Sequence, residues 1–203
     1  MKIKQQLTAL VAAGVLAHAL PAEATPTRYT PEVMLSLARV GAADLSPDGK
    51  TLVYSVGFPN LQANKIQSQL FRIAADGSSR KQLTSNIAGV HSPRWIQQGK
   101  RIAFLSSESG SQQVWTMAPD GSERKQLTAI EGGLSDFLLS PDETKIAYIK
   151  EIPFGKSTKD LYPDLPKATG RIITDLMYKH WDEWTETIPH IFIAELGASP
   201  VKG

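Results

Sequence analysis

A segment of 16 residues occurs twice in this chain with most of its residues unchanged. Residues 69–84 read QLFRIAADGSSRKQLT, and residues 113–128 read QVWTMAPDGSERKQLT, which places the two copies 44 residues apart. A unit of this length with strand-like alternation cannot bury its apolar side chains alone, so it needs neighbouring copies to form a core. The repeat therefore constrains the architecture before any single residue suggests a function.

Each copy has the pattern of two strands joined by a tight turn, at Asp76-Gly77 and at Asp120-Gly121. A second kind of turn, rich in Pro, Asp or Gly, precedes an alternating strand at residues 45–50, 95–100 and 139–144. Taken in order, these signals predict four-stranded antiparallel units, which are the blades of a β-propeller. The third turn carries Glu143 where the first carries Gly49. Since glycine adopts positive φ most readily, we expect a different turn type there.

The fold class that follows is all-β, a partial and open propeller over residues 40–203 with about three blades. Closed propellers have roughly four to eight blades. Thr30 and Pro31 are suited to the start of a helix, and we predict a short helix over residues 31–38 that packs beside the first blade. It belongs to an N-terminal segment of residues 25–39.

After Lys150 the blade pattern weakens. Residues 152–170 contain several Pro and Gly and are interpreted as a long connection. Residues 171–184 fit one face of a helix or one face of a strand, and we favour a strand because a new blade should begin there. Residues 190–196 then resemble the repeated strands that begin at Gln69 and Gln113.

The first 24 residues have the pattern of a secretory signal peptide. Lys2 and Lys4 precede an apolar run, and Ala22-Glu23-Ala24 forms a small-x-small cleavage site. A retained membrane anchor is the alternative, although the run is short for a span of about 20 residues. Removal of these residues takes away two lysines and one glutamate from a chain of net charge +2, which leaves +1. We expect an exported protein, periplasmic or secreted, with no nucleic-acid partner and no membrane span after cleavage.

The repeats resemble TolB-like propellers and the propeller of the prolyl oligopeptidase family of serine peptidases. The opening Thr30-Pro31-Glu32-Val33-Met34-Leu35 and the stretch over residues 160–166 and 176–184 are similar to the secreted acylaminoacyl-peptidase and dipeptidyl-peptidase-5-like subgroup. The resemblance covers nearly all of residues 30–203. It implies a propeller that gates access of short peptides to a C-terminal α/β-hydrolase domain. The catalytic Ser, Asp and His belong to that domain.

The sequence contains no Gly-x-Ser-x-Gly nucleophile elbow, so no catalytic residue is assigned to it. The nearest string begins at Gly77, lacks the final Gly and lies in a blade turn. We therefore expect residues 25–203 to be inactive alone. The rival hypothesis is a non-enzymatic, TolB-like periplasmic propeller that binds other proteins.

The densest candidate site is the cluster His180-Trp181-Asp182-Glu183-Trp184. Asp182 or Glu183 could bind the amino terminus of a peptide, while Trp181 or Trp184 packs against it, because an ammonium group that leaves water needs a carboxylate or a π face. The structural alternative is a strand end whose indoles pack between blades and whose carboxylates cap a turn.

The other candidate clusters have weaker support as functional sites. His180, Asp182 and His190 are potential metal ligands without the spacing of a compact site, so no metal and no cofactor are predicted. His91 and Ser92 are adjacent on a strand, where neighbouring side chains point to opposite faces, and this argues against a nucleophile pair. The large aromatic residues of the predicted strands, Trp95, Phe104 and Trp115, are assigned to packing between blades.

Overall fold

The computed structural model describes residues 28–174 and 179–203, and the predicted signal peptide lies outside them. The described residues form mainly short antiparallel strands with two short helices, α1 (Pro31–Ser36) and α2 (Thr158–Leu161). The strands in chain order are β1 (Arg39–Leu45), β2 (Thr51–Asn60), β3 (Lys65–Ala74), β4 (Lys81–Gln82), β5 (His91–Ile96), β6 (Arg101–Ser106), β7 (Gln113–Met117), β8 (Lys125–Gln126), β9 (Thr128–Ala129), β10 (Asp136–Leu139), β11 (Lys145–Pro153), β12 (Lys179–His180), β13 (Glu183–Trp184), β14 (Thr187–Glu195) and β15 (Val201–Lys202).

The predicted helix α1 is present but ends at Ser36 instead of residue 38. The Thr30 side chain accepts a hydrogen bond from the Val33 backbone N–H at 3.3 Å, which is the N-cap expected from its residue type. The helix stops because Leu37 is extended, with ψ 130°. It contacts β2 of the first blade, although none of its own side chains is buried.

The two repeat copies each complete a four-stranded antiparallel sheet, in the order β1-β2-β3-β4 for blade 1 and β5-β6-β7-β8 for blade 2. In both, the long central strands pair along their length and the fourth strand is only two residues long. The four-stranded meander predicted from the repeat is therefore confirmed.

The prediction of a different turn type at Glu143 is wrong, because this turn has the same form as the turn at Gly49. Gly49 has φ 71° and Glu143 has φ 55°, and each backbone N–H bonds the carbonyl of the serine three residues earlier. In each turn that serine, Ser46 or Ser140, donates from Oγ to an aspartate and accepts from the N–H that opens the next strand. This local network holds Glu143 in the left-handed region that glycine would otherwise favour.

Blade 3 shows that a second prediction, the start of a new blade at residues 171–184, is wrong. Its three strands follow the order β10-β11-β14, and β11 pairs with β14 over nine residues from Lys145↔Glu195 to Pro153↔Thr187. Residues 154–186 are therefore an insertion between two neighbouring strands of one blade, and they do not begin a new blade. The strand predicted over residues 171–184 appears only as the small hairpin β12–β13, with residues 175–178 outside the described part.

The core lies between the blades. One cluster joins blades 1 and 2 through Val53, Leu70 and Phe104, and a second joins blades 2 and 3 through Leu105, Val114 and Ile146. Phe104 is buried, and Trp95 and Trp115 pack against the first cluster, so the assignment of these aromatic residues to inter-blade packing is confirmed.

The last residues return to the boundary between blades 2 and 3. Strand β15 pairs in parallel with β9, and Val201 is buried in the second core cluster. On the far side of blade 3, Leu138, Ile191 and Ile193 are 67%, 74% and 72% exposed in the described structure. No described helix is long and apolar enough to cross a membrane.

Candidate functional site: the insertion of blade 3

The insertion emerges where β11 ends and returns where β14 begins, so blade 3 holds both of its ends. The Phe154 N–H donates to the Glu186 carbonyl at 2.8 Å and continues the ladder by one step. Helix α2 begins at a capping box in which Ser157 and Asp160 each bond the backbone N–H of the other. These hydrogen bonds from Ser157 hold the pKa of Asp160 below its usual value. The Thr158 hydroxyl donates to the Gly170 carbonyl at 2.6 Å and connects the helix to the middle of the insertion.

The predicted cluster lies on the hairpin β12–β13, where Lys179 pairs with Trp184 and His180 with Glu183. Trp181 and Asp182 form its tip and are exposed. Trp181 has φ 57°, a left-handed conformation that is uncommon for a bulky residue, and it is 89% exposed. The structure therefore presents one indole and one carboxylate to solvent side by side. The side chains of His180 and Glu183 lie outside the described part.

The two indoles of the cluster have different surroundings. The Arg171 guanidinium lies 4.6 Å from the ring centre of Trp184, and the Lys179 ammonium lies 5.4 Å from it. Both distances are within the range of cation–π attraction. Cations of the chain itself thus already contact the Trp184 ring, whereas Trp181 is exposed at the tip.

A cleft of about 790 Å³ lies within the insertion, a volume in the range of small-ligand sites. Its apolar walls come from Phe154, Leu161, Ile172 and Trp184, and its charged groups include Arg171. Trp184 belongs both to the hairpin and to the wall of the cleft, so the exposed tip and the cleft are neighbours.

Among residues 28–174 and 179–203, no group of three potential ligands is arranged to hold a metal ion. His190, one of the three residues considered for such a site, has its Nδ1 3.1 Å from the Ile188 carbonyl.

The pair His91 and Ser92 is closer than expected from strand geometry. The Ser92 Oγ lies 3.0 Å from His91 Nδ1 because the strand bulges there and Ser92 has φ 50°. The expectation that the two side chains diverge is therefore wrong.

The surrounding hydrogen bonds nevertheless give His91 the wrong tautomer for activating Ser92. Gln112 accepts from Ser107 Oγ through Oε1 and donates from Nε2 to the Gly89 carbonyl and toward His91 Nε2, at 2.8, 3.0 and 3.0 Å. Because His91 Nε2 then accepts a hydrogen bond, the single ring proton of neutral His91 lies on Nδ1 and is donated to Ser92 Oγ. Partial burial lowers the pKa of His91, which favours this neutral form, although Asp136 opposes the shift.

Comparison with known proteins gives two kinds of match, and no protein-family model matches. Over 196 residues, 95% of this chain, the sequence is 55% identical to dipeptidyl-peptidase 5 of Porphyromonas gingivalis. The chain is therefore homologous to a part of this longer protein. It spans 25–29% of the length of the curated relatives it matches.

Among solved structures, the acylaminoacyl peptidase of Pyrococcus horikoshii agrees on the fold. The acylaminoacyl peptidase of Pyrococcus horikoshii matches with a TM-score of 0.50 and 17% identity, over 63% of this chain and 20% of that one. TolB of Acinetobacter baumannii matches with a TM-score of 0.47 and 24% identity, over 58% of this chain and 28% of that one. The resemblance to such a peptidase, predicted from the repeats and from residues 160–166 and 176–184, is confirmed.

Sequence reasoning missed Arg171 and Glu186 as members of the site. Arg171 donates from Nε to Glu186 Oε1 at 2.6 Å while its guanidinium lies over Trp184. The two residues are 15 apart in an insertion without helical or strand periodicity, so no local pattern relates them. Only the fold of the insertion around the cleft brings them together.

Proposed function

We propose that this chain is the substrate-gating propeller portion of an exported serine peptidase of the prolyl oligopeptidase family that hydrolyses short peptides. A separate α/β-hydrolase domain would supply the catalytic Ser, His and Asp, because this chain has no nucleophile elbow. The observation that carries the proposal is 55% identity to dipeptidyl-peptidase 5 over 95% of the chain, together with 29% coverage of that longer protein.

The test is the coding sequence beyond residue 203 and the activity of its product. We expect a Gly-x-Ser-x-Gly elbow downstream and hydrolysis of dipeptidyl chromogenic substrates that is abolished when the elbow serine is replaced by alanine. Residues 25–203 purified alone should show no turnover. Further blades followed by a stop codon, with no elbow, would contradict the proposal and favour the non-enzymatic TolB-like propeller.

Export through a signal peptide of residues 1–24 is part of the proposal. Its support is the basic start, the apolar run and the small residues at Ala22 and Ala24. The mature protein should begin at Thr25, which N-terminal sequencing of exported material would test. Recovery of the intact chain in the membrane fraction would instead favour a retained anchor.

Within this function, the hairpin β12–β13 would bind the amino terminus of the peptide. Asp182 and Trp181 are exposed together at its tip, and Glu183 follows in the sequence. Carboxylates form charge-assisted hydrogen bonds with an ammonium group, and an indole face attracts the same cation. Trp184, which already contacts Arg171 and Lys179, is assigned to holding the hairpin in place.

Asp182→Asn and Glu183→Gln in the full-length peptidase should raise KM for peptides with free amino termini, and leave KM for blocked peptides unchanged. Loss of a hydrogen bond to a charged group costs about 1.5–3 kcal/mol, which corresponds to an increase of roughly 10- to 100-fold. Asp164→Asn, at an exposed carboxylate of the same insertion, is the matched control and should change neither value. Unchanged KM for free peptides in both test variants would exclude this site.

Replacement of the two indoles should separate binding from support. Trp181→Ala should raise KM for free peptides while the melting temperature stays within about one degree, because the side chain is 89% exposed. Trp184→Ala should also weaken the insertion, seen as faster proteolysis within residues 154–186. Equal proteolysis of the two variants would contradict the division of roles.

A further inference from the structure

Arg171 connects the hairpin to blade 3 through a short chain of contacts. The Glu186 carbonyl accepts from the Phe154 N–H at 2.8 Å, directly after the last paired residues of β11 and β14. The Glu186 carboxylate is 2.6 Å from Arg171 Nε. The Arg171 guanidinium in turn lies 4.6 Å from the ring centre of Trp184, on strand β13. Blade 3, Glu186, Arg171 and the hairpin are therefore linked in series.

We infer that Arg171 is a positioning residue that holds the peptide-binding hairpin at the cleft, an inference that rests on the proposed function. Only a guanidinium suits this position, because it donates from one edge while its flat face stacks on an aromatic ring. A lysine ammonium in the same place could keep the ion pair or the ring contact with much less directional control. The placement of the hairpin tip thus depends on the planar shape of Arg171 as well as on its charge.

Burial indicates that the contribution of Arg171 to global stability is small. The side chains of Arg171 and Glu186 are 45% and 61% exposed. Ion pairs as exposed as this one contribute little to the free energy of unfolding. A displacement of a binding group by roughly 1 Å can nevertheless reduce catalytic efficiency about 100-fold, and where only binding is affected the loss is seen in KM. Positioning is the role in which this contact would have a large effect.

The test uses Arg171→Lys, Arg171→Gln and Glu186→Gln in the full-length peptidase. All three should raise KM for peptides with free amino termini about 5- to 30-fold, with kcat and the melting temperature nearly unchanged. The lysine in Arg171→Lys should reverse less than half of the increase in KM that Arg171→Gln causes. The matched control is Arg101→Lys, which alters an Arg–Glu pair of blade 2 whose Nη1–Oε2 distance is 3.1 Å, and it should leave KM unchanged.

A double-mutant cycle separates failure of the inference from failure of the proposed function. Arg171→Lys should add little to the KM of Asp182→Asn plus Glu183→Gln if it acts through those carboxylates. Effects on KM that multiply independently would overturn the positioning role. So would a normal KM of the Arg171 variants together with a melting temperature lower than that of Arg101→Lys. If the carboxylate variants themselves keep a normal KM, the proposed binding site fails, whatever Arg171 does.

Discussion

At the scale of single residues, the repeat preserves a buried hydrogen-bond network. In blade 1, Thr84 Oγ1 donates to Gln69 Oε1 at 2.9 Å and accepts from the Leu70 N–H at 2.8 Å. In blade 2, Thr128 makes the same two bonds, to Gln113 Oε1 and from the Val114 N–H, at 2.8 and 2.9 Å. The buried hydroxyl thus ties the segment that follows the fourth strand to the third strand. This explains why Gln and Thr recur at the ends of the repeated segment.

Thr84→Val and Thr128→Val should each destabilise the protein by about 1–3 kcal/mol. Valine fills the same volume but leaves a buried backbone N–H and a glutamine oxygen without their hydroxyl partner. Urea unfolding followed by circular dichroism would measure the loss. Thr187→Val, at an exposed position of β14, is the control and should stay within about 0.5 kcal/mol. Equal stability of all three variants would show that the network contributes nothing.

At the scale of elements, four turns share the same serine–aspartate hydrogen bond. In each, a serine hydroxyl donates to the nearby aspartate, as in Ser46 to Asp48 at 2.6 Å and Ser78 to Asp76 at 2.7 Å. These hydroxyls are the largest cause of the lowered pKa of the aspartates, which are Asp48, Asp76, Asp120 and Asp142. Local sequence therefore sets both the turn and its electrostatics.

The lowered pKa values predict acid sensitivity of the blades. A carboxylate whose folded-state pKa lies below its unfolded value of 3.8 contributes stability above that pH, and the contribution is lost as pH falls through the folded value. The urea midpoint should therefore decrease as the pH falls below about 4. Ser78→Ala and Ser122→Ala together should reduce this slope, since they remove the hydroxyl donors at Asp76 and Asp120. A slope as steep as that of the unaltered protein would contradict the assignment.

At the scale of the whole molecule, equivalent residues of the two repeat copies have different surroundings, because blade 2 packs against blade 1. Gly77 and Gly121 occupy the same turn position, with φ 86° and 90°. A Cβ at Gly77 would meet nothing within 4 Å, whereas one at Gly121 would lie 2.6 Å from the Leu83 carbonyl oxygen of blade 1. Gly121 thus serves blade packing as well as the turn.

Gly77→Ala and Gly121→Ala should therefore have unequal costs. Gly77→Ala should lose about 1–2 kcal/mol because alanine disfavours positive φ. Gly121→Ala should lose roughly 1–3 kcal/mol more, since blades 1 and 2 must separate slightly to admit the methyl group. Parallel urea titrations of the two variants would measure the difference. Equal losses would mean that the blades do not pack as closely at Gly121 as the structure has them.

The repeat, the turns and the helix cap are all local, and for this reason they could be predicted. Thr30 caps α1, the Asp-Gly turns close two hairpins, and the strands around Phe104 form the inter-blade core. The turn at Glu143 was misjudged because a serine–aspartate network there overrides the preference for glycine. The pairing of β14 with β11 was missed because the strands are separated by residues 154–186, and no periodicity extends across such an insertion.

The sequence by itself determined the type of unit, its turns and the cluster at residues 180–184, since each depends on residues close along the chain. The tertiary structure alone decided that this cluster stands on an insertion of blade 3 and that Trp181, not Trp184, is the more exposed indole. It also brought Arg171 and Glu186 to the hairpin. Contacts of this kind depend on how a long loop returns to its own blade, and no local preference encodes that path.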